Sequence, residues 1–370
     1  MHVTMIGAGY VGLVSGACFA DFGHDVTCID KDAGKIAALN RGEIPIFEPG
    51  LADLVEANVR QERLHFATDM ASIKEAEAVF IAVGTPSRRG DGHADLSFVY
   101  EAVREIAPLL SATTVVITKS TVPVGTGDEI ERILREKRPD AQIQAVSNPE
   151  FLREGAAIQD FKHPDRIVVG TDDQRAQLVL AEIYRPLYLN SPPIIYVSRR
   201  TAELIKYAAN AFLATKITFI NEVADLCEQV DADVNEVARG IGLDNRIGGK
   251  FLHAGPGFGG SCFPKDTSAL LKTAQDFGVP MRIVEAVAAV NEQRKRGMAR
   301  KVLAALDGSV RGKTIAVLGL TFKPNTDDTR DSPAIPLITA LQDLGATVRA
   351  YDPAGMEQAK PQLQIGRAHV

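Results

Sequence analysis

Cysteine is scarce in this sequence and never paired in a CxxC. Cys18, Cys28, Cys227 and Cys262 are scattered over 370 residues, so neither a disulfide framework nor a zinc knuckle fits. Seven histidines (His2, His24, His65, His93, His163, His253 and His369) show no HxxxH spacing, and no metal site is expected. A basic excess is missing too: 41 Lys plus Arg stand against 47 Asp plus Glu, net −6, which leaves nothing to neutralise nucleic-acid phosphates. No run approaches the ~18 uncharged apolar residues of a membrane span. The chain enters a strand-like run at 3–6 with no signal peptide before it. Hydrophobic residues make up 45% of the chain, which excludes a disordered one. These absences leave a reduced, cytoplasmic protein of two or three domains.

Short β-rich runs alternate with helical patterns in the first half. The predicted strands are 3–6, 26–29, 78–83, 114–118, 144–147 and 167–170, with helices such as 11–22 and 98–110 between them. That alternation predicts an α/β fold with a doubly wound parallel sheet, helices on both faces. From 200 to 230 neither Pro nor Gly occurs and apolar residues recur at helical spacing, so one long helix is expected, followed by another over 280–306. Near residue 311 the alternation resumes: strand 314–318, helix 334–344, strand 347–351. A free-standing sheet needs roughly four to six strands, so the last domain is expected to be a partial Rossmann-like one. The closing Ile-Gly-Arg-Ala-His-Val has no regular pattern. The expected division is 1–199, 200–306 and 307–370.

Gly7-Ala8-Gly9-Tyr10-Val11-Gly12 fits GxGxxG, as do Gly255, Gly257 and Gly260. Context separates the two. The first follows a strand, opens a helix and precedes a second strand ending in Asp30, 18 residues beyond Gly12. An acid about 20 residues on is the ribose-binding signature of a dinucleotide site, and Asp30 would repel a 2′-phosphate, favouring NAD over NADP. The second copy contains Pro256 and follows no strand. Val83-Gly84-Thr85-Pro86 and Ser120-Thr121-Val122-Pro123-Val124-Gly125 fall at the carboxyl ends of strands, where ligands collect. Either is also ordinary turn chemistry.

In Gly255-Pro-Gly-Phe-Gly-Gly-Ser-Cys262-Phe-Pro-Lys265-Asp266, the Gly and Pro residues leave little room for a packed hydrophobe. A lone Cys is usually a small buried hydrophobe, which suits Cys18, Cys28 and Cys227. Cys262 reads instead as a nucleophile, with Lys265 and Asp266 brought near by a loop turning into a helix. A thiol of pKa ~8.5 needs a cation or a helix N-terminus to become a good nucleophile. Beside a nicotinamide, such a thiol could trap an aldehyde and carry it through a thioester to an acid.

With GAGYVG at 7–12, STVPVG at 120–125, NPEFLREG at 148–155, FLHAGPGFGGSCFPKD at 251–266 and GLTFKPNTDDTRDSP at 319–333, the chain resembles the UDP-glucose/GDP-mannose dehydrogenase family over 1–353. The resemblance implies an NAD-binding Rossmann domain, a long central helix that makes a homodimer, and a C-terminal nucleotide-binding Rossmann-like domain. It implies a four-electron oxidation of a sugar nucleotide, UDP-glucose to UDP-glucuronate, with two NAD⁺. It assigns NAD contacts to Gly7, Gly9, Tyr10, Val11, Gly12, Asp30, Lys35, Thr85, Thr121, Glu154, Lys265 and Arg330. Sugar-nucleotide contacts fall on Glu150, Phe151, Leu152, Arg153, Glu154, Lys206, Asn210, Phe251, Leu252, His253, Ala254, Gly255, Gly259 and Lys323. Cys262, Lys206, Asn210, Asp266, Glu150 and Thr121 match the catalytic set. Family members usually continue past residue 370, so NAD binding is expected to survive better than turnover.

The residues themselves leave alternatives. Lys206 and Asn210 are four apart on the long helix and share a face, where they could hold an alkoxide or be solvated surface groups. Glu150 and Glu154 are also four apart, with a loop-to-helix start after Pro149: they could position water or favour a helix N-terminus. Lys323 and Arg330 could neutralise a diphosphate or solvate a loop. GDP-mannose or a UDP-N-acetylhexosamine are rival substrates. A one-step alcohol dehydrogenase and a non-catalytic NAD-binding scaffold are rival functions.

Overall fold

The computed structural model describes residues 1–88, 92–190 and 192–363, with 188–190 as backbone only. The closing run at 365–370, with His369, lies outside them. The chain divides into two compact units, Met1–Lys206 and Tyr207 onward.

The first unit contains β1 (His2–Ile6), α1 (Tyr10–Asp21), β2 (Asp25–Ile29), α2 (Ala33–Asn40), α3 (Leu51–Arg60), β3 (Leu64–Ala67), β4 (Ala78–Ile81) and α4 (Ser97–Ile106). It continues with β5 (Val115–Thr118), α5 (Thr126–Lys137), β6 (Gln144–Ser147), α6 (Ala157–Lys162), β7 (Ile167–Gly170), α7 (Gln174–Ile183) and β8 (Ile194–Val197). The start of α8 (Arg199–Val230) closes it. The sheet order is β3-β2-β1-β4-β5-β6-β7-β8. Its first six strands have the Rossmann order, which reverses between β1 and β4 and opens a crevice at their carboxyl ends.

Why these runs make this sheet is visible in their alternation. Val3, Met5, Ala78, Phe80, Val115 and Ile117 enter one apolar layer, while Ile6, Val79, Ile81 and Val116 enter the layer on the opposite face. Helices cover both faces, so the strands read as continuous apolar runs rather than polar-apolar ones. Close approach of α1 to β2 depends on small residues: a Cβ at Gly16 would stand 2.6 Å from Cys28 Sγ.

Two features depart from the sequence expectation. The sheet is not wholly parallel, because β6 and β7 meet antiparallel at Ser147 and Gly170. The segment after β6 stays at the carboxyl edge and feeds β7 from there, so β7 runs back down. Strands β3 and β8 were also not expected. Each has four residues and sits at an edge of the sheet, where short strands limit open hydrogen-bonding groups.

The second unit holds the rest of α8, then α9 (Val234–Gly242), α10 (Phe263–Asp276), α11 (Arg282–Ala305), β9 (Thr314–Leu318), α12 (Ala334–Asp343), β10 (Thr347–Tyr351) and α13 (Met356–Ala359). β9 and β10 pair in parallel, the βαβ start that the sequence suggested. Helix α8 has 32 residues, about 48 Å at 1.5 Å per residue. Along it Phe212, Phe219 and Leu226, seven residues apart, are 66%, 52% and 60% exposed. No helix among the described residues is long and apolar enough to cross a membrane.

Candidate active site

The glycine turn joins β1 to α1. Gly7 has φ +103°, and a Cβ there would lie 2.7 Å from the Ala82 carbonyl; one at Gly12 would lie 1.8 Å from the Gly7 carbonyl. Both glycines are therefore required by the fold. Gly9 is different. Its φ of −81° suits any residue, and a Cβ there would meet no protein atom within 4 Å. Protein packing leaves Gly9 unexplained, whereas a ligand lying on the turn at the α1 N-terminus explains it.

Asp30 directly follows β2, one residue past the strand end expected there, and accepts from the Ala8 amide at 2.9 Å, the Asp32 amide at 3.0 Å and Lys35 Nζ at 2.8 Å. Burial opposes its ionisation, but the Lys35 ammonium and these amides outweigh it and hold the carboxyl below the usual range. A fixed carboxylate is thus ready for hydroxyl donors, and turn and acid together fit a dinucleotide. Thr85 and Thr121 come together: Thr85 Oγ1 donates to the Thr121 carbonyl at 2.9 Å, and Ser120 Oγ donates to the Val83 carbonyl at 2.7 Å.

Residues 148–156 are irregular and α6 begins only at Ala157, so Glu150 and Glu154 do not share a helix. Buried Glu48 starts α6 instead, accepting from the Gly155 and Ala157 amides, each at 2.7 Å, and from the Tyr10 hydroxyl. Burial, with the Glu48 carboxylate, pushes the Tyr10 phenol well above its ordinary pKa. Glu154 is half-buried and acts electrostatically on Tyr10. Glu150 folds back to accept from the Leu152 amide, and Leu152 packs on the core. Exposed Arg153 is engaged by Asp160, its Nε lying 2.9 Å from Oδ2.

Lys206 Nζ lies 3.0 Å from Glu150 Oε1, with both side chains at most 6% exposed. Phe151 lies against this pair, its ring centroid 5.3 Å from Lys206 Nζ and 3.6 Å from the Arg166 guanidinium carbon. The solvated reading of Lys206 is therefore excluded. Glu203, one helical turn earlier, ties α8 to the start of α5 and the end of β6. It accepts from Gly125 N at 2.7 Å, Gly127 N at 2.8 Å and Ser147 Oγ at 3.0 Å. A cavity of about 10 Å³ is lined by Thr121, Ser147, Pro149, Glu203 and Lys206, among others.

In the second unit Asn210 is likewise buried and donates to Asp266 Oδ2 at 2.6 Å, while Lys265 Nζ donates to Asp266 Oδ1 at 2.7 Å. Cys262 is the N-cap residue of α10 and is partly exposed, unlike Cys18, Cys28 and Cys227, which are buried. A thiol at a helix N-terminus is favoured as thiolate. Burial pushes the Cys18 and Cys28 thiols up to about 12. The loop before Cys262 is clamped by residues the sequence reading did not single out. Asn291 accepts from Phe258 N at 2.8 Å and donates to its carbonyl at 3.0 Å; Arg294 donates to the Gly255 carbonyl, and Asn221 accepts from Gly255 N. Gly259 is buried, where a Cβ would stand 2.3 Å from the Asp331 carbonyl.

Phe251 has φ +65° and its ring lies 6.1 Å from that of Phe263. Leu252 is buried, whereas His253 and Ala254 are exposed. Lys323 Nζ lies 5.2 Å from the Phe322 ring. Arg330 donates to both oxygens of Asp328, at 2.9 and 2.8 Å. Among the described residues no cluster of three or more His, Cys, Asp or Glu could hold a metal.

Comparison with known proteins decides the family. Residues 1–188 match the NAD binding domain of the UDP-glucose/GDP-mannose dehydrogenase family, 200–293 its central domain and 316–369 its UDP binding domain. The chain belongs to that family. Within it, the chain is 68% identical to UDP-glucose 6-dehydrogenase of Rhizobium meliloti, the match covering 98% of this chain and 84% of the relative. The UDP-glucose dehydrogenase of Pyrobaculum islandicum is 41% identical with a TM-score of 0.91, over 97% of this chain and 83% of that one. UDP-D-ManNAc dehydrogenase of Pyrococcus horikoshii is similar at 26% identity and TM-score 0.86, over 96% and 84%. As a family member the chain is an NAD-dependent oxidoreductase, and Gly9 and Asp30 fit the expected dinucleotide.

Proposed function

We propose that this chain oxidises the C6 hydroxyl of UDP-glucose to a carboxylate, giving UDP-glucuronate. The overall balance consumes two NAD⁺ and one water and yields two NADH and three protons. The substrate follows from the 68% identity to a protein named for that reaction, against 26% to one named for a UDP-N-acetylhexosamine. The observation that carries the chemistry is Cys262, a partly exposed thiol at a helix start in a protein whose other thiols are buried.

NAD⁺, when bound, supplies the two-electron acceptor for each oxidation, and the Gly7–Gly12 turn, Asp30, Lys35, Thr85 and Thr121 are assigned to hold it. Lys206, in its neutral form, takes the hydroxyl proton in the first oxidation. The Cys262 thiolate then adds to the aldehyde carbon, and the new oxyanion is held by Lys206 and Asn210. Oxidation of this thiohemiacetal gives a thioester. Thr121 and Glu150 position the water that breaks its C–S bond, Asp266 receives the water's proton, and the thiolate is restored. Phe151, Arg153, Phe251, Gly255, Gly259 and Lys323 are assigned to the sugar nucleotide.

The same reading divides the chain into a dinucleotide-binding part (1–199), a central helical part (200–306) and a nucleotide-binding part (307–370). It joins two copies along α8 in a homodimer, for which the stripe Phe212, Phe219, Leu226 is suited: exposed apolar residues at seven-residue spacing mark a helix that wants a partner. Residence in the cytoplasm fits four cysteines of which none forms a disulfide.

The test is NADH formation with UDP-glucose, GDP-mannose and UDP-N-acetylmannosamine offered separately. UDP-glucose is expected to be the preferred substrate, and NADH appearing only with GDP-mannose overturns the assignment.

A further inference from the structure

Helix α11 buries Val284, Val287, Asn291, Lys295 and Ala299 at three- and four-residue steps. Register alone would make position 291 apolar, and an amide sealed there is costly unless both its ends are paired. Asn291 is 2% exposed, and both ends are paired. Its Oδ1 accepts from the Phe258 amide at 2.8 Å and its Nδ2 donates to the Phe258 carbonyl at 3.0 Å, as a neighbouring strand would. Buried backbone in an irregular segment needs such partners, and residues 251–260 contain no helix or strand to provide them. Gly255 is served the same way: Asn221 Oδ1 accepts from its amide at 2.8 Å and Arg294 Nε donates to its carbonyl at 2.6 Å. The fit at Asn291 is tight. Gly257 has φ +125°, and a Cβ there would stand 2.9 Å from Asn291 Oδ1.

From Phe258 the contacts run on to the thiol. Phe258 is buried and packs with Ala214 and Val287, and its ring meets that of Phe263 edge-on, 5.9 Å between centroids. Phe263 is the first residue of α10 and Cys262 is its N-cap. The place of Cys262 therefore depends on where Phe258 lies, and Asn291 holds both backbone groups of Phe258.

We propose that Asn291 is a positioning residue for the Cys262 thiol: by fixing Phe258 it sets where α10 starts, and so whether the aldehyde is trapped before it leaves. The inference deepens the proposed thiohemiacetal step and rests on that reading. In that step Cys262 Sγ bonds to C6 while the carbonyl electron pair moves to oxygen. Such an attack tolerates little misplacement, a shift of about 1 Å costing on the order of 100-fold. Hydride loss from the alcohol involves no sulfur, so the first NADH still forms without the clamp.

The test counts NADH per UDP-glucose in wild type, Asn291→Ala and Cys262→Ala. Substrate is limiting, NAD⁺ is in excess, and a hydrazine is present at a concentration that leaves the wild-type count at two. Asn291→Ala is expected to give close to one and to accumulate the hydrazone, because a thiol slowed that far loses the aldehyde to the hydrazine. A variant that is merely less stable has fewer working molecules, yet each still delivers two. Two NADH from Asn291→Ala therefore overturns the proposal, even where its Tm or rate falls. Two NADH from Cys262→Ala overturns instead the reading of Cys262 itself. Should Asn291→Ala fail to fold, Asn291→Asp keeps the acceptor for the Phe258 amide and loses only the donor to its carbonyl. It is expected to give a count between one and two, and a count of two overturns the proposal.

Discussion

Replacing Glu203 with alanine removes a single carboxylate on which three chain segments converge. Two amide donors at 2.7 and 2.8 Å and a hydroxyl at 3.0 Å lose their acceptor at a position 3% exposed. Hydrogen bonds to a charged group contribute ~1.5–3 kcal/mol each, and an orphaned buried donor costs a similar amount. Burial raises the Glu203 pKa despite these donors, so desolvation takes back part of the gain. The net loss is about 3 kcal/mol. For a unit of this size, 1 kcal/mol moves Tm by about 2–4 °C, so the first unit is expected to melt about 6–12 °C lower. Calorimetry resolves its transition, and Glu203→Gln is expected to fall in between, because its carbonyl keeps one acceptor while its amide opposes the backbone donors. A loss below 2 °C in the alanine variant refutes this reasoning: the carboxylate would then be no tie between the Thr121 turn, β6 and α8.

Wild-type stability relative to Lys119→Met is expected to climb as pH rises from about 8 to 10.5. Folded Lys119 is 3% exposed, with Asn148 Oδ1 and Tyr184 Oη as acceptors. Burial pushes it down to about 8 from 10.5, so across that window the unfolded chain holds a proton that the folded one has released. The gain is on the order of 3 kcal/mol; urea midpoints at several pH values report it, and a difference that does not change with pH contradicts the burial of a charge. Gly9→Val is expected to leave Tm within ~2 °C but weaken NAD⁺ binding at least ~10-fold by calorimetric titration, since its Cβ meets no protein atom. Gly12→Ala, whose Cβ would stand 1.8 Å from the Gly7 carbonyl, is expected to lose folded yield; equal behaviour of the two variants would count against the ligand explanation of Gly9. Asp30→Ala is expected to weaken NAD⁺ about tenfold and narrow the preference over NADP⁺, measured as the ratio of Kd values, and an unchanged ratio contradicts its assignment to the ribose.

Local patterns were legible in the sequence wherever the physics is local. The strands before and after the glycine turn, Asp30 just past the second strand, and the start of α10 at Cys262 all follow from short-range signals: β-rich runs, glycine spacing, and proline next to a helix start. The antiparallel turn of β7 was not legible, because strand direction depends on where an irregular segment leaves the chain, and no residue type encodes that. Glu150 and Glu154 illustrate the same limit. Their four-residue spacing suggests a helix, but the cap that delays α6 until Ala157 comes from Glu48, more than a hundred residues away. Lys119 and Glu203 stand beside motifs that were recognised, yet a single sequence does not tell a buried charge from a solvated one. The partners that hold them are distant in the chain, and only folding brings those together.

The central claim is that Cys262 carries the sugar through a second oxidation. The most direct measurement is the number of NADH formed per UDP-glucose when substrate is limiting and NAD⁺ is in excess, in wild type and in Cys262→Ala. Two NADH are expected from wild type and no more than one from the variant, which can form the aldehyde but has no thiol to trap it. Two NADH per UDP-glucose from Cys262→Ala would contradict the claim.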